Sequence, residues 1–95
     1  MNAEQKENLR HAVLEFLVLR HPSAFPPRAL RRRLAEELDF LITEEDIAIA
    51  CEFLIGMGHA RLLPDALGST NYFSATSSGV LAFERGLNPG RPGHD

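Results

Sequence analysis

Through the first sixty residues, apolar side chains recur three and four apart, the spacing of one face of a helix. From residue 4 to 20 they stand at Leu9, Val13, Phe16 and Leu17, with Ala12 beside them. The segment HPSAFPP (21–27) stops this helix, because proline cannot continue it and restrains the residue before it. Pro27 suits the first turn of a second helix, PPRALRRRLAEEL (26–38), whose Leu30, Leu34 and Leu38 turn inward. After the link DFLI, Thr43 is the predicted N-cap of a third helix, and Glu44, Glu45 and Asp46 in its first turn complement the helix dipole. Ile47, Ala50, Cys51, Leu54 and Gly58 share the inner face of that helix, and Gly58 ends it.

Beyond Gly58 the pattern changes. ARLL and NYFSA read as the arms of a hairpin, joined by a loop holding Pro64, Asp65, Gly68 and Asn71. Arms this short are marginal alone, so the hairpin is expected to lie on the helices. Thr76 can cap a closing helix, TSSGVLAFER, and GLNPGRPGHD reads as a frayed tail. The expected fold is mainly α with a small antiparallel β-hairpin: a three-helix core, two strands and a short C-terminal helix. Residues 1–86 form the expected domain and 87–95 the flexible C-terminal tail.

This order resembles the winged-helix superfamily, a helix-turn-helix relative. The pieces that carry the resemblance are ITEEDIAIACEFLIGMGHARLL and NYFSATSSGVLAFER, with Tyr72, Phe73, Thr76 and Gly79 matching the end of the second wing strand and the start of the last helix. The resemblance covers roughly residues 8 to 85. It implies a binding domain, since members of this superfamily bind DNA, bind RNA or join proteins, and fold alone does not choose among them.

Composition narrows the classes. The chain has 95 residues, enough for one core, with 44% hydrophobic residues and a net charge of −3. It is therefore expected to fold, and any nucleic-acid contact must come from a local patch. No apolar run approaches the length of a membrane span, and no secretory segment is evident, so a cytoplasmic setting is expected. The single cysteine, Cys51, reads as a small buried thiol. His11, His21, His59 and His94 are scattered, without cysteines or carboxylates at metal spacing, so neither metal nor cofactor is expected. No glycine-rich phosphate cradle and no nucleophile set is discernible, and the expectation is a non-enzyme without a small-molecule substrate.

Two kinds of binding compete. The first is DNA-backbone contact by a transcription-regulator-like protein, through Arg28, Arg31, Arg32 and Arg33 beside the start of helix two. In winged helices the second helix commonly touches the DNA backbone. Pairing of Arg32 with Glu36 and of Arg33 with Glu37 would instead make this a solvated face, though in the weaker charge order for a helix. The second is a protein-interaction or dimerisation module. The outward side of helix three carries Glu45, Ile49, Glu52 and Gly56, flanked by Ala48 and Phe53, where a groove-reading face wants basic, amide or hydroxyl side chains. Ile49 and Phe53 lie at i and i+4 and form one apolar patch. Leu14 and Val18 on helix one, turned away from Val13 and Phe16, form a second expected interface for a homodimer or partner, unless the hairpin or last helix covers them. The wing tip, ALGSTN, holds no lysine or arginine with which to enter a minor groove.

Overall fold

The computed structural model describes residues 1–87. Its elements are α1 (Ala3–Leu19), α2 (Pro27–Leu34), α3 (Glu44–Gly56), β1 (Ala60–Pro64), β2 (Asn71–Ala75) and α4 (Ser77–Leu87). The three-helix core, two-stranded sheet and closing helix thus stand in the expected order. α4 includes Leu87, one residue past the expected domain boundary; the rest of the expected tail, 88–95, lies outside the described residues.

Each long helix begins at a side-chain cap. The Asn2 side chain accepts the Gln5 N–H at 2.7 Å while Gln5 accepts the Asn2 N–H at 3.1 Å. Thr43 and Asp46 exchange the same pair of bonds at 3.0 and 2.9 Å. Such reciprocal boxes satisfy two orphan donors of a helix start. α2 begins instead on Pro26 and Pro27, with no side-chain cap. It ends at Leu34, four residues before the expected Leu38. Glu36, Glu37 and Asp39 follow, and carboxylates at a helix C-terminus oppose its dipole. The chain turns there, with the Glu37 and Leu38 N–H groups both donating to the Leu34 carbonyl.

α1 is the hub. It packs against α2, α3, α4 and β2. Its buried residues Leu9, Ala12, Val13, Leu14, Phe16 and Leu17 cover roughly 200° of its circumference at 100° per residue, far more than one face. Leu30 and Leu34 of α2, Ile42 before α3, Ile47, Ala50, Cys51 and Leu54 of α3, Ala60 of β1, Phe73 and Ala75 of β2 and Phe83 of α4 complete the core. The sheet pairs Ala60 with Ala75 through Pro64 with Asn71. It gains a third partner absent from the sequence reading: Phe25, just before α2, exchanges two 2.9 Å backbone bonds with Phe73. The Phe25 ring also meets Phe16 edge-on at 5.1 Å.

The passage from α3 to β1 is closed by two glycines. Gly58 has φ +81°, a conformation costly to residues with a Cβ. Its N–H donates to the Ile55 carbonyl and that of His59 to the Leu54 carbonyl, the bonding of a Schellman cap. Thr76 then ties α4 to this turn. Its hydroxyl donates to the Gly58 carbonyl at 2.6 Å and accepts the Gly79 N–H at 2.9 Å, and its own N–H donates to the His59 carbonyl at 3.0 Å. Gly79 rests directly on the His59 backbone, where a Cβ would collide with the carbonyl.

The glycines are therefore expected to separate in a urea-unfolding series. Gly79→Ala should cost about 1–3 kcal/mol through overpacking against an immovable backbone. Gly58→Ala should cost about 1–2 kcal/mol through its left-handed conformation. Gly56→Ala, with open space around it inside α3, should instead stabilise by about 0.5–1 kcal/mol.

Candidate binding surfaces

The α2 surface follows from its short sequence, PRALRRRL. Burying Leu30 and Leu34 turns Arg28 and Arg32 outward, about 40° apart around the helix axis. Both are exposed. Arg31 and Arg33 lie on opposite flanks, Arg31 half-buried and Arg33 exposed. The arginines therefore fan around α2 and do not converge on one point. The Arg33 guanidinium lies 5.6 Å from the centre of the Phe16 ring. Arg20 covers the same ring at 3.7 Å and donates from Nη1 to the Phe16 carbonyl at 3.3 Å. Arg20 thus joins the basic surface beside Arg33, an addition the sequence reading missed. Its only local signal was the i, i+4 spacing from Phe16, which lets a cation reach an aromatic face. The regular helix stops before Glu36 and Glu37, so the alternative pairings of Arg32 with Glu36 and Arg33 with Glu37 do not fall on one continuous helix.

α3 offers a different chemistry. Glu45, Ile49, Glu52, Phe53 and Gly56 are exposed and Ala48 is half-buried, as the wheel predicted. Ile49 and Phe53 retain 55% and 43% of their accessible surface. From Glu44 to Gly56 the helix contains no arginine, lysine, asparagine, glutamine, serine or threonine. It therefore lacks the side chains that pair bidentately with purine edges. The Phe53 ring lies 3.8 Å beneath the Arg10 guanidinium of α1. The hairpin tip is held by the Asp65 N–H donating to the Thr70 carbonyl and the Leu67 N–H donating to Asp65 Oδ1. Leu67 is almost wholly exposed, and no basic residue lies between Leu62 and Tyr72. Arg61 is exposed at the base of the hairpin, facing Ser74 in the register.

The expected interface at Leu14 and Val18 requires correction. Leu14 is only 9% exposed, and Val18 is half-buried against the core. The last helix accounts for this. Phe83 of α4 meets His11 at 5.5 Å between ring centres, and His11, Leu14 and Val18 share one stripe of α1. α4 therefore packs along the side of α1 that the sequence reading left for a partner. Of the two apolar pairs, only Ile49 and Phe53 are open to solvent.

Cys51 is fully buried, and burial, with a smaller contribution from Glu52, pushes its thiol from an ordinary 9.0 up to about 12. His59 is half-buried and enters the α4 junction through its backbone carbonyl. Among the described residues, no three His, Cys, Asp or Glu side chains stand close enough to hold a metal ion.

Neither a protein-family model nor a curated protein matches the sequence. Solved structures do match the arrangement of α1 to α4. A PadR family transcription regulator from hypervirulent Clostridium difficile superposes with a TM-score of 0.68 over 87% of this chain and 86% of that one, at 14% identity. The fold is a winged helix. A PadR-like transcription factor from Bacteroides fragilis gives 0.67 over 86% of this chain and 79% of that one, also at 14% identity. A transcriptional regulator from Clostridium thermocellum gives 0.67 over 92% and 84%, at 11%. In this winged helix β1 and β2 are the wing.

Burial of Cys51 carries a pH signature. The unfolded chain releases the thiol proton near pH 9 and the folded chain keeps it to about 12. The folded state then binds more protons, so stability is complete below pH 9 and falls as pH rises from 9 towards 12. Cys51→Ala should abolish that share of the alkaline decline in urea midpoints. The native thiol should also resist a disulfide-exchange reagent at pH 8 and react fully once unfolded.

Proposed function

We propose that this chain is a non-catalytic, DNA-associated winged-helix protein of transcription-regulator type. In this reading it holds the duplex by its phosphates through α2 and does not read bases through α3. The observation that carries the reading is the division of side chains between two adjacent helices. α2 presents Arg28 and Arg32 outward, with Arg33 and Arg20 on one flank and Arg31 on the other. α3 presents glutamates and apolar residues and has no base-pairing side chain. Guanidinium groups suit phosphate oxygens, whereas the carboxylates of Glu45 and Glu52 repel a polyanion. The similar solved structures, described as transcription regulators, support the class. Among the described residues no helix is long and apolar enough to cross a membrane, which accords with a cytoplasmic setting beside DNA.

A second reading has its own observation. Ile49 and Phe53, half-exposed on an acidic helix, favour a protein-facing α3. The two readings are compatible, because they use different helices.

A phosphate-only mode makes affinity strongly salt-dependent and nearly indifferent to sequence. With about four phosphates engaged, affinity for a duplex is expected to fall roughly a hundredfold between 50 and 200 mM salt. Arg28→Ala with Arg32→Ala should lower the salt slope by about two and weaken all duplexes alike. Fluorescence anisotropy with two unrelated duplexes tests this. Equal binding by the double variant would remove α2 as the site, and tight, salt-insensitive, sequence-specific binding would return base reading to α3.

A further inference from the structure

Asn8, His11, Ala12, Glu15 and Leu19 stand three and four apart on α1 and so form one stripe along it. The chain that follows α2 passes beside this stripe. There Glu37 and Asp39 are exposed, while Leu38 and Phe40 pack half-buried against the core. Two adjoining hollows, of about 240 and 470 Å³, lie between stripe and chain, and Ala12, Glu15 and Glu37 line both. Together they make one trough, about 16 Å long from Asn8 to Leu19 at the helical rise. Its floor is apolar, from Phe40 and Leu38 past Ala12 to Leu19, which is 69% exposed. Its free charges are of one sign. Among the described residues no side-chain hydrogen bond engages Glu15, Glu37 or Asp39, whereas Asp46 is held in the cap of α3. The basic side chains that line the trough turn to rings of the chain itself: Arg20 lies over Phe16 at 3.7 Å, and His11 meets Phe83 at 5.5 Å. The groove between α1 and α3, about 140 Å³, instead mixes Lys6 and Arg10 with Asp46 and selects no single charge.

We propose that this trough docks a basic amphipathic helix of another protein. The apolar side chains of that helix lie on Ala12, Leu38 and Phe40, and its lysines or arginines meet Glu15, Glu37 and Asp39. Charge complementarity selects the partner: carboxylates repel a nucleic acid and attract a cationic segment. A metal ion does not suit them, because among the described residues no three acidic, histidine or cysteine side chains stand close enough to hold one. The carboxylates instead suit separate cations spaced along a chain. A helix fits better than a strand, because the backbone groups of the α1 wall are spent within α1 and offer no edge for pairing. The 16 Å length corresponds to about three helical turns. The chain's own cluster of arginines is a poor occupant, since Leu30 and Leu34 beside them are buried in the core and leave no apolar stripe to dock. None of Arg28, Arg31 and Arg32 lines the trough, so the site stands or falls independently of DNA contact by α2.

The probe is a fluorescent helical peptide of leucines and lysines, about fourteen residues long, titrated with the full chain and followed by anisotropy. It is expected to bind, and the same peptide with glutamate in place of lysine is not. Glu15→Gln with Glu37→Gln, which keeps side-chain shape, should weaken binding roughly tenfold with unchanged circular dichroism. Leu19→Ser, at an exposed position, should weaken it about fivefold by removing apolar contact. Glu45→Gln with Glu52→Gln on α3 should leave it unchanged. Equal binding by the Glu15 and Glu37 double variant would overturn the proposal, as would an equal loss in the α3 variant or equal binding of the glutamate peptide. So would self-association of the wild type that the Glu15 and Glu37 variant abolishes, which would give the trough to a second copy.

Discussion

The contact between the start of α4 and the turn after α3 is the constraint on which the rest of this winged helix depends. Gly58 turns the chain out of α3 in a conformation open to glycine, and Thr76 hydrogen-bonds both Gly58 and His59. Because Gly79 has no side chain, the first turn of α4 lies on the His59 backbone. These few bonds fix where β1 leaves, where β2 returns and in which direction α4 sets out. A two-stranded wing has too little buried surface to set its own position. It is placed from outside, by this junction at one end and by the Phe25–Phe73 bridge on its other edge.

With α4 set in that direction, it closes over α1. The consequence is a central helix buried over more than half its circumference, with Leu14 and Val18 packed within the chain's own core. A domain of this size gains little by leaving several large apolar side chains in water, and α4 resolves the surplus on α1 internally. Among the described residues, Ile49 and Phe53 stay open on the outer side of α3, with the Arg10 guanidinium over the Phe53 ring.

The charged groups divide along the same lines. α3 has a capping box and three acidic residues in its first turn, which stabilise its N-terminus and make that end hostile to phosphate. α2 has no acidic residue in its first turn and three arginines in its last, where cations complement the dipole. The same residues that favour each helix locally thus give adjacent helices opposite surface charge. That division gives α2 and α3 surfaces of different chemistry.

The sequence by itself determined most of the architecture, because the deciding signals are local. Apolar spacing marked the helices, Thr43 marked the start of α3, Gly58 its end, and Thr76 with Gly79 the start of α4. The outward identity of Glu45, Ile49, Glu52 and Phe53 was legible too, since helix periodicity fixes faces once the inner residues are known. What only the tertiary structure decided is which faces meet. Periodicity allots α1 one inner face, whereas its neighbours bury Val13 and Leu14 alike. Arg20 and Arg33 stand thirteen positions apart, and only the packing of α2 against α1 brings both to the Phe16 ring. Arg10 and Phe53 meet for the same reason, across the groove between α1 and α3. Local patterns specify each element and its faces, but the pairing of those faces depends on how all the elements pack together, and no window of sequence contains that information.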